Sequence, residues 1–298
     1  MKIQANGISI EVEDTGGDGP VVMLVMGLGM QLTAWPPSLV QALVEAGYRV
    51  IRHDNRDAGL SQYFDELKVP SLAWTLLRHR LGRTPRSPYA VGDMALDAWG
   101  VLDALGVRRA HVVGASMGGM IAQRMAIAAP ERTLTLTSIM SSSGARDLPA
   151  PRADVTRALL SRPRSKDLQV VLDYYVDFFR AIGGPGFPIP EAELRARLTI
   201  SLQRAYHPQG VQRQMLAILA DTTRPDKLQR ITAPTLVIHG RDDPFVRLPC
   251  GEDTARRIPG ARLWVIDGMG HDMPPGVVEC MLPPMLEHFA GAQQRAAA

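Results

Sequence analysis

Three side chains in this sequence have the types needed to act together on a substrate: Ser116, His271 and an aspartate at 243 or 242. Ser116 stands in Gly114-Ala-Ser116-Met117-Gly118, a G-x-S-x-G pattern, with Gly119 directly after it. A serine hydroxyl is a weak nucleophile until a base removes its proton and a carboxylate fixes the tautomer of that base. His271, in the glycine-flanked segment Gly268-Met-Gly270-His271-Asp272, is suited to be the base. In Arg241-Asp242-Asp243-Pro244 either aspartate could orient it; Asp243 is favoured because Pro244 stiffens the turn it begins. The order serine, aspartate, histidine differs from that of chymotrypsin or subtilisin.

These residues need a scaffold that presents them together. Residues 110–113 read as a short apolar strand, and 117–129 as a helix of small residues stopped by Pro130. Strand, sharp turn and helix expose a hydroxyl above a sheet edge, and the N–H of Met117 at the helix start can meet an oxyanion. Val21 to Met26 is a continuous apolar run, as in a strand buried on both faces, and ends in Gly27-Leu28-Gly29-Met30. Position 32 is leucine, so a G-x-G-x-x-G dinucleotide fingerprint is rejected. The loop instead offers a second oxyanion donor, the N–H of Leu28.

The remaining chain follows a strand–helix alternation. Ile8-Ser-Ile-Glu-Val alternates as a half-solvated antiparallel strand. A helix over 38–46, a strand over 48–53, a helix starting at Ser87-Pro88 and closed by Gly106, and a strand over 133–140 come next. The polar loop after the strand over 48–53 carries Asp54, Arg56 and Asp57, for which structural hydrogen bonding is the favoured role. Strand patterns then vanish until about residue 230, where 233–240, 262–267 and a closing helix from Pro275 restore them, with 291–298 expected to fray. The expectation is a mostly parallel, doubly wound α/β sheet with an inserted helical cap: core over 1–143, cap over 144–230, core again over 231–298. Tyr174, Phe178, Met30 and Met273 are the expected substrate-lining side chains, with Tyr175, Phe179 and Phe187 beside them.

Composition narrows the partners. The 298 residues are 46% hydrophobic and 21% charged with a net charge of +3, ordinary for a soluble protein and no reason to invoke nucleic acid. The most basic run, from Arg78 to Arg86, lacks interleaved aromatics and reads as a solvated loop. Two cysteines make no disulfide framework, residues 1–6 contain no secretory h-region, and no apolar run is long enough for a membrane span. A cytoplasmic protein, monomer or homodimer, is therefore expected. Neither aspartate stands in a metal-ligand spacing with a histidine, so no metal and no cofactor are implied.

His239-Gly-Arg-Asp-Asp243-Pro-Phe-Val, Gly268-Met-Gly-His271 and Val113-Gly-Ala-Ser116-Met-Gly-Gly together resemble the α/β-hydrolase superfamily. Met26-Gly27, the run Arg52-His-Asp54-Asn-Arg56-Asp57-Ala-Gly59-Leu-Ser61 and Gly-Met-Gly-His-Asp-Met-Pro resemble its carboxylesterase branch that includes aclacinomycin methylesterase. The resemblance spans nearly the whole chain and is weakest in the cap. It implies Ser116 as nucleophile, His271 as base, Asp243 as acid and the N–H groups of Leu28 and Met117 as oxyanion hole. Many relatives have His-Gly where this chain has Met26-Gly27, which removes a polar anchor beside the oxyanion loop. The expected activity is hydrolysis of small-molecule carboxylic esters, small to medium and largely apolar, through an acyl-enzyme. C–C bond, lactone or amide hydrolysis and perhydrolysis could use the same residues, and a slow ligand sensor could retain them. A haloalkane dehalogenase or epoxide hydrolase needs a carboxylate nucleophile, which serine at 116 excludes.

Overall fold

The computed structural model describes residues 1–68, 75 and 81–297. The first part of the basic run, with His79, lies outside them. Eight strands form one sheet in the order β1-β2-β4-β3-β5-β6-β7-β8. They are β1 (Lys2–Ala5), β2 (Ile8–Asp14), β3 (Val21–Val25), β4 (Arg49–His53), β5 (Ala110–Ala115), β6 (Thr133–Ile139), β7 (Thr235–Gly240) and β8 (Arg262–Ile266). β2 pairs antiparallel with β1 and β4, and every pairing from β4 to β8 is parallel. β1 went unpredicted, although Asn6 (φ 51°) and Gly7 (φ 78°) make the left-handed two-residue turn that Asn-Gly favours in hairpins.

The buried strands serve two cores at once. Met23, Val25 and Val112 face one side of the sheet, where helices α2 (Val91–Ala104) and α3 (Met117–Ala128) pack through Met94, Ala98, Leu102, Ile121 and Met125. Val22, Leu24 and Val113 face the other, against Leu39 and Leu43 of α1 (Pro37–Glu45) and Met281, Met285 and Phe289 of α9 (Pro275–Ala297). Alternation at period two thus explains why runs such as 21–25 are apolar throughout. α8 (Leu248–Arg257) lies between β7 and β8 in the chain.

Two helix boundaries differ from the sequence reading. α2 starts at Val91, not Ser87-Pro88: Asp93 accepts the Ala90 N–H at 2.8 Å, and Ser87 Oγ donates to the Tyr89 carbonyl at 2.6 Å. Tyr89 is drawn inward, its hydroxyl donating to Asp57 at 2.8 Å, which fits the segment ahead of α2 staying non-helical. Residues 291–297, expected to fray, continue α9; the Gln-Gln-Arg-Ala-Ala run consists of good helix formers.

Between β6 and β7 come four helices: α4 (Ala153–Leu160), α5 (Leu168–Ile182), α6 (Glu191–Arg204) and α7 (Pro208–Ala220). They carry a small core of their own, Leu172 and Val176 against Leu194 and Leu198, with Tyr175 and Phe179 beside it. Buried ion pairs tie this insertion to the loop after β4. Arg213 of α7 grips Asp57 with two bonds of 2.8 Å, and Arg204 of α6 reaches Asp54 at 2.7 Å. Asp54 also accepts the N–H groups of Leu32 and Leu60, and Arg56 pairs bidentately with Asp97 of α2. The polar loop therefore serves structural hydrogen bonding.

Candidate active site

β5 ends at Ala115 and α3 begins at Met117, so the whole reversal falls on Ser116, held at φ 56°, ψ −122°. A non-glycine residue in that region is strained and persists only where its surroundings over-determine it. Here the Ser116 N–H donates to the Ile139 carbonyl at 2.9 Å, and Ser141 Oγ donates to the Ser116 carbonyl at 2.7 Å. The turn also needs bare backbone: a Cβ at Gly114 would strike the Gly118 carbonyl, and one at Gly118 the Val25 carbonyl.

His271 follows β8 in the loop over 267–274, and Asp243 follows β7. Asp243 Oδ2 lies 2.7 Å from His271 Nδ1, and His271 Nε2 lies 2.9 Å from Ser116 Oγ. A carboxylate only accepts, so Nδ1 carries the proton and Nε2 is left to accept from the serine. The second oxygen of Asp243 takes the N–H groups of Phe245 and Val246, both at 2.8 Å, which fixes the carboxylate. Asp242 faces away and accepts the Gly268 N–H at 2.9 Å. Phe245 packs edge-on against the His271 ring at 4.9 Å between centroids, with Phe178 edge-on behind it. Ser116 is half-buried, whereas His271 and Asp243 are buried.

The loop bearing Leu28 lies against the serine: a Cβ on Gly27 would sit 3.1 Å from that of Ser116. The polar anchor absent at Met26 is replaced by others. Asn55 donates to the Met26 carbonyl at 2.8 Å, and Gln214 of α7 accepts the Gly29 N–H at 2.8 Å. Sequence reasoning missed both, because amides 29 and 185 residues away in the chain carry no local signal.

Beyond this loop a cavity of about 40 Å³ opens between core and insertion. Met30, Tyr175, Phe179, Leu198, Tyr206 and Val211 are among its lining residues; Ser116, His271 and Asp243 are not. Ligand pockets usually measure about 300–1,000 Å³, so this cavity is small beside them. Of the four expected lining residues, Met30 is here. Tyr174 is turned to α4, donating to Ala158 at 3.2 Å; Phe178 reaches Phe245; and Met273 is buried in the core beside α9. One residue along a helix is a rotation of 100°, so Tyr175 and Phe179 face the cavity where Tyr174 and Phe178 do not.

Most of the other described histidines belong to the scaffold. His111 Nδ1 is 2.9 Å from Thr135 Oγ1, His239 Nε2 is 2.6 Å from the Val246 carbonyl, and His207 stacks on Tyr63. Burial pushes His53 down to about 4. Among the described residues no group of three His, Cys, Asp or Glu could hold a metal, and no helix is long and apolar enough to cross a membrane.

Asp272 is the strongly perturbed group beside the site. Burial drives its carboxyl up to about 6; the charge of Asp243 adds to this, while His271, Arg197 and the Gly184 N–H oppose it. Its Oδ1 is buried without a partner. A carboxyl raised on folding costs nothing below its unfolded value of 3.8; the cost grows as pH rises from there to about 6 and stays constant above. Asp272→Asn is therefore expected to be more stable than the wild type at pH 7–8, by on the order of 1–3 kcal/mol. The gap should close as pH falls below 4. Urea midpoints measured across this range check it, and a gap independent of pH would contradict it.

Sheet, elbow and flanking helices define the class. The sequence pattern of the alpha/beta hydrolase fold family matches residues 20–274, and the chain belongs to that family, a hydrolase by descent and architecture. It is 33% identical over 297 residues to a rhodomycin D methylesterase of Streptomyces peucetius, covering 92% of each chain. It is 29% identical over 274 residues to a 2-hydroxy-6-oxononadienedioate/2-hydroxy-6-oxononatrienedioate hydrolase of a Pseudomonas species, covering 90% of this chain and 87% of the other. Among solved structures, the 2-hydroxy-6-oxo-6-phenylhexa-2,4-dienoate hydrolase of a Rhodococcus species superposes with a TM-score of 0.72 at 23% identity, over 97% of this chain and 99% of that one.

Proposed function

We propose that the protein is a serine carboxylesterase acting on small to medium, largely apolar esters. The observation that carries this is the continuous contact Asp243–His271–Ser116, at 2.7 and 2.9 Å. The Ser116 proton passes to His271 Nε2 as Oγ attacks the ester carbonyl carbon. The oxyanion is met by the N–H groups of Leu28 and Met117, and Asp243 stabilises the imidazolium. Collapse breaks the C–O bond, the imidazolium protonates the departing alkoxide, and an acyl-Ser116 remains. Water, deprotonated by His271, then attacks the acyl carbon, and the acid leaves as Ser116 regains its proton. Residues 144–230 act as a cap on this site, and Met30, Tyr175 and Phe179 supply apolar surface for the substrate.

Similarity to the rhodomycin D methylesterase supports the ester reading. Similarity to the 2-hydroxy-6-oxononadienedioate hydrolase supports a second, C–C bond hydrolysis on the same residues. Purified protein assayed on methyl and p-nitrophenyl esters of short and aromatic acids, beside a vinylogous diketone acid, separates them. Turnover of the esters is expected; cleavage of the diketone alone would overturn the esterase reading in favour of the second.

A further inference from the structure

Where the insertion meets the histidine loop, two glycine-rich segments lie backbone on backbone. A Cβ on Gly184 would collide with the Gly270 nitrogen and the Gly268 carbonyl, and one on Gly270 with the Gly184 nitrogen. A Cβ on Gly186 would come 2.8 Å from Gly268 Cα. Two hydrogen bonds cross the same seam: His271 N–H to the Ile182 carbonyl at 2.7 Å, and Gly186 N–H to the Gly268 carbonyl at 2.9 Å. On its other side the loop rests on the end of β7, with Asp242 N–H donating to the Met269 carbonyl at 3.2 Å and no room for a Cβ at Gly240. The atoms that would be struck are backbone, which cannot rotate away as a side chain can.

We infer that Gly184, Gly186 and the Ile182 carbonyl, all from the insertion, are positioning groups for His271. The insertion thus sets the reach of the base to Ser116 as well as covering it. This rests on the reading of His271 as the base. The imidazole must stay within hydrogen-bond reach of Ser116 Oγ, and a displacement of about 1 Å costs about 100-fold in rate. Neither Gly184 nor Gly186 has a positive φ, so the demand for bare backbone there comes from the close approach of the histidine loop.

The test is Gly184→Ala in the full chain, assayed for ester hydrolysis beside wild type, Gly100→Ala and His271→Ala. Gly100 is a milder crowding control, its Cβ position 3.0 Å from the Asn6 nitrogen, and it packs α2 on the β1–β2 hairpin, away from Ser116 and His271. Gly184→Ala is expected to lower kcat about 100-fold with KM nearly unchanged, whereas Gly100→Ala lowers the melting temperature and leaves kcat alone. A folded Gly184→Ala with wild-type kcat overturns the inference, and wild-type activity in His271→Ala overturns the underlying assignment instead. If Gly184→Ala does not fold, amide hydrogen exchange in the wild type decides. Slow, concerted exchange at His271 and Gly186 is expected, and exchange as fast as in exposed loops overturns the clamp.

Discussion

Ser116→Ala is expected to lower kcat for ester hydrolysis by about 10⁶-fold while the protein stays folded. The hydroxyl makes no bond in the scaffold beyond His271, so its removal deletes chemistry and little structure. The backbone at 116 is held from outside the side chain, by Ile139 and Ser141, so alanine should keep the elbow and even gain from losing a polar group. What survives should come from the oxyanion donors and binding alone. In the proposed mechanism the serine and histidine act as a unit, so adding His271→Ala to Ser116→Ala should cost almost nothing more. Steady-state kinetics on the single and double variants check both statements. A loss below tenfold, or two losses that multiply, would mean that the pair does not work as a relay.

Arg213→Ala is expected to destabilise the protein by about 3–5 kcal/mol, the cost of stranding one member of a buried ion pair. Both side chains of the Arg213–Asp57 pair are fully shielded from solvent. Burial works to raise the Asp57 carboxyl, but the bonds from Arg213, the Phe64 N–H and Tyr89 outweigh it and hold it below the usual carboxylate range. Without Arg213 the charge stays buried with the Tyr89 hydroxyl, the Phe64 N–H and His207, 3.6 Å away, to answer it. The damage should spread to activity, because the neighbouring Gln214 holds Gly29, next to the N–H of Leu28 proposed as an oxyanion donor. Replacing both partners, as in Asp57→Asn with Arg213→Met, should recover most of the stability, since asparagine tolerates the left-handed backbone at 57 (φ 64°), still accepts from Tyr89 and Phe64, and leaves no uncompensated charge. Urea unfolding of the wild type and these two variants measures this. A single-variant loss under about 1 kcal/mol would place the pair among those worth little.

The parts of the site that could be read in the sequence are those whose chemistry is local. Gly114-x-Ser116-x-Gly118 between an apolar run and a helix can hardly be anything but a sharp turn, and the glycine-flanked histidine stands in the order that a parallel sheet brings to one edge. The substrate side was read less well. Helical spacing grouped Tyr174, Tyr175, Phe178 and Phe179, but the face each takes depends on a rotation that only packing against Leu194 and Leu198 sets. The partners of Asp54 and Asp57 were equally hidden, because one arginine among many differs only by where the chain later brings it. The glycine- and proline-rich run 183–190 ends a helix in any sequence reading, yet the close fit of Gly184 and Gly186 to 268–270 is a tertiary fact with no periodic signature. The Asn6-Gly7 turn was a legible signal left unread.

The most direct test of the central claim is to trap the acyl-enzyme. Wild type is mixed briefly with p-nitrophenyl acetate, quenched in acid, digested and mapped by mass spectrometry. A burst of p-nitrophenol equal to the enzyme present is expected, with one acetyl group on the peptide containing Ser116 and none in Ser116→Ala. Turnover with no acetyl on Ser116, or the acetyl on another residue, would contradict the account.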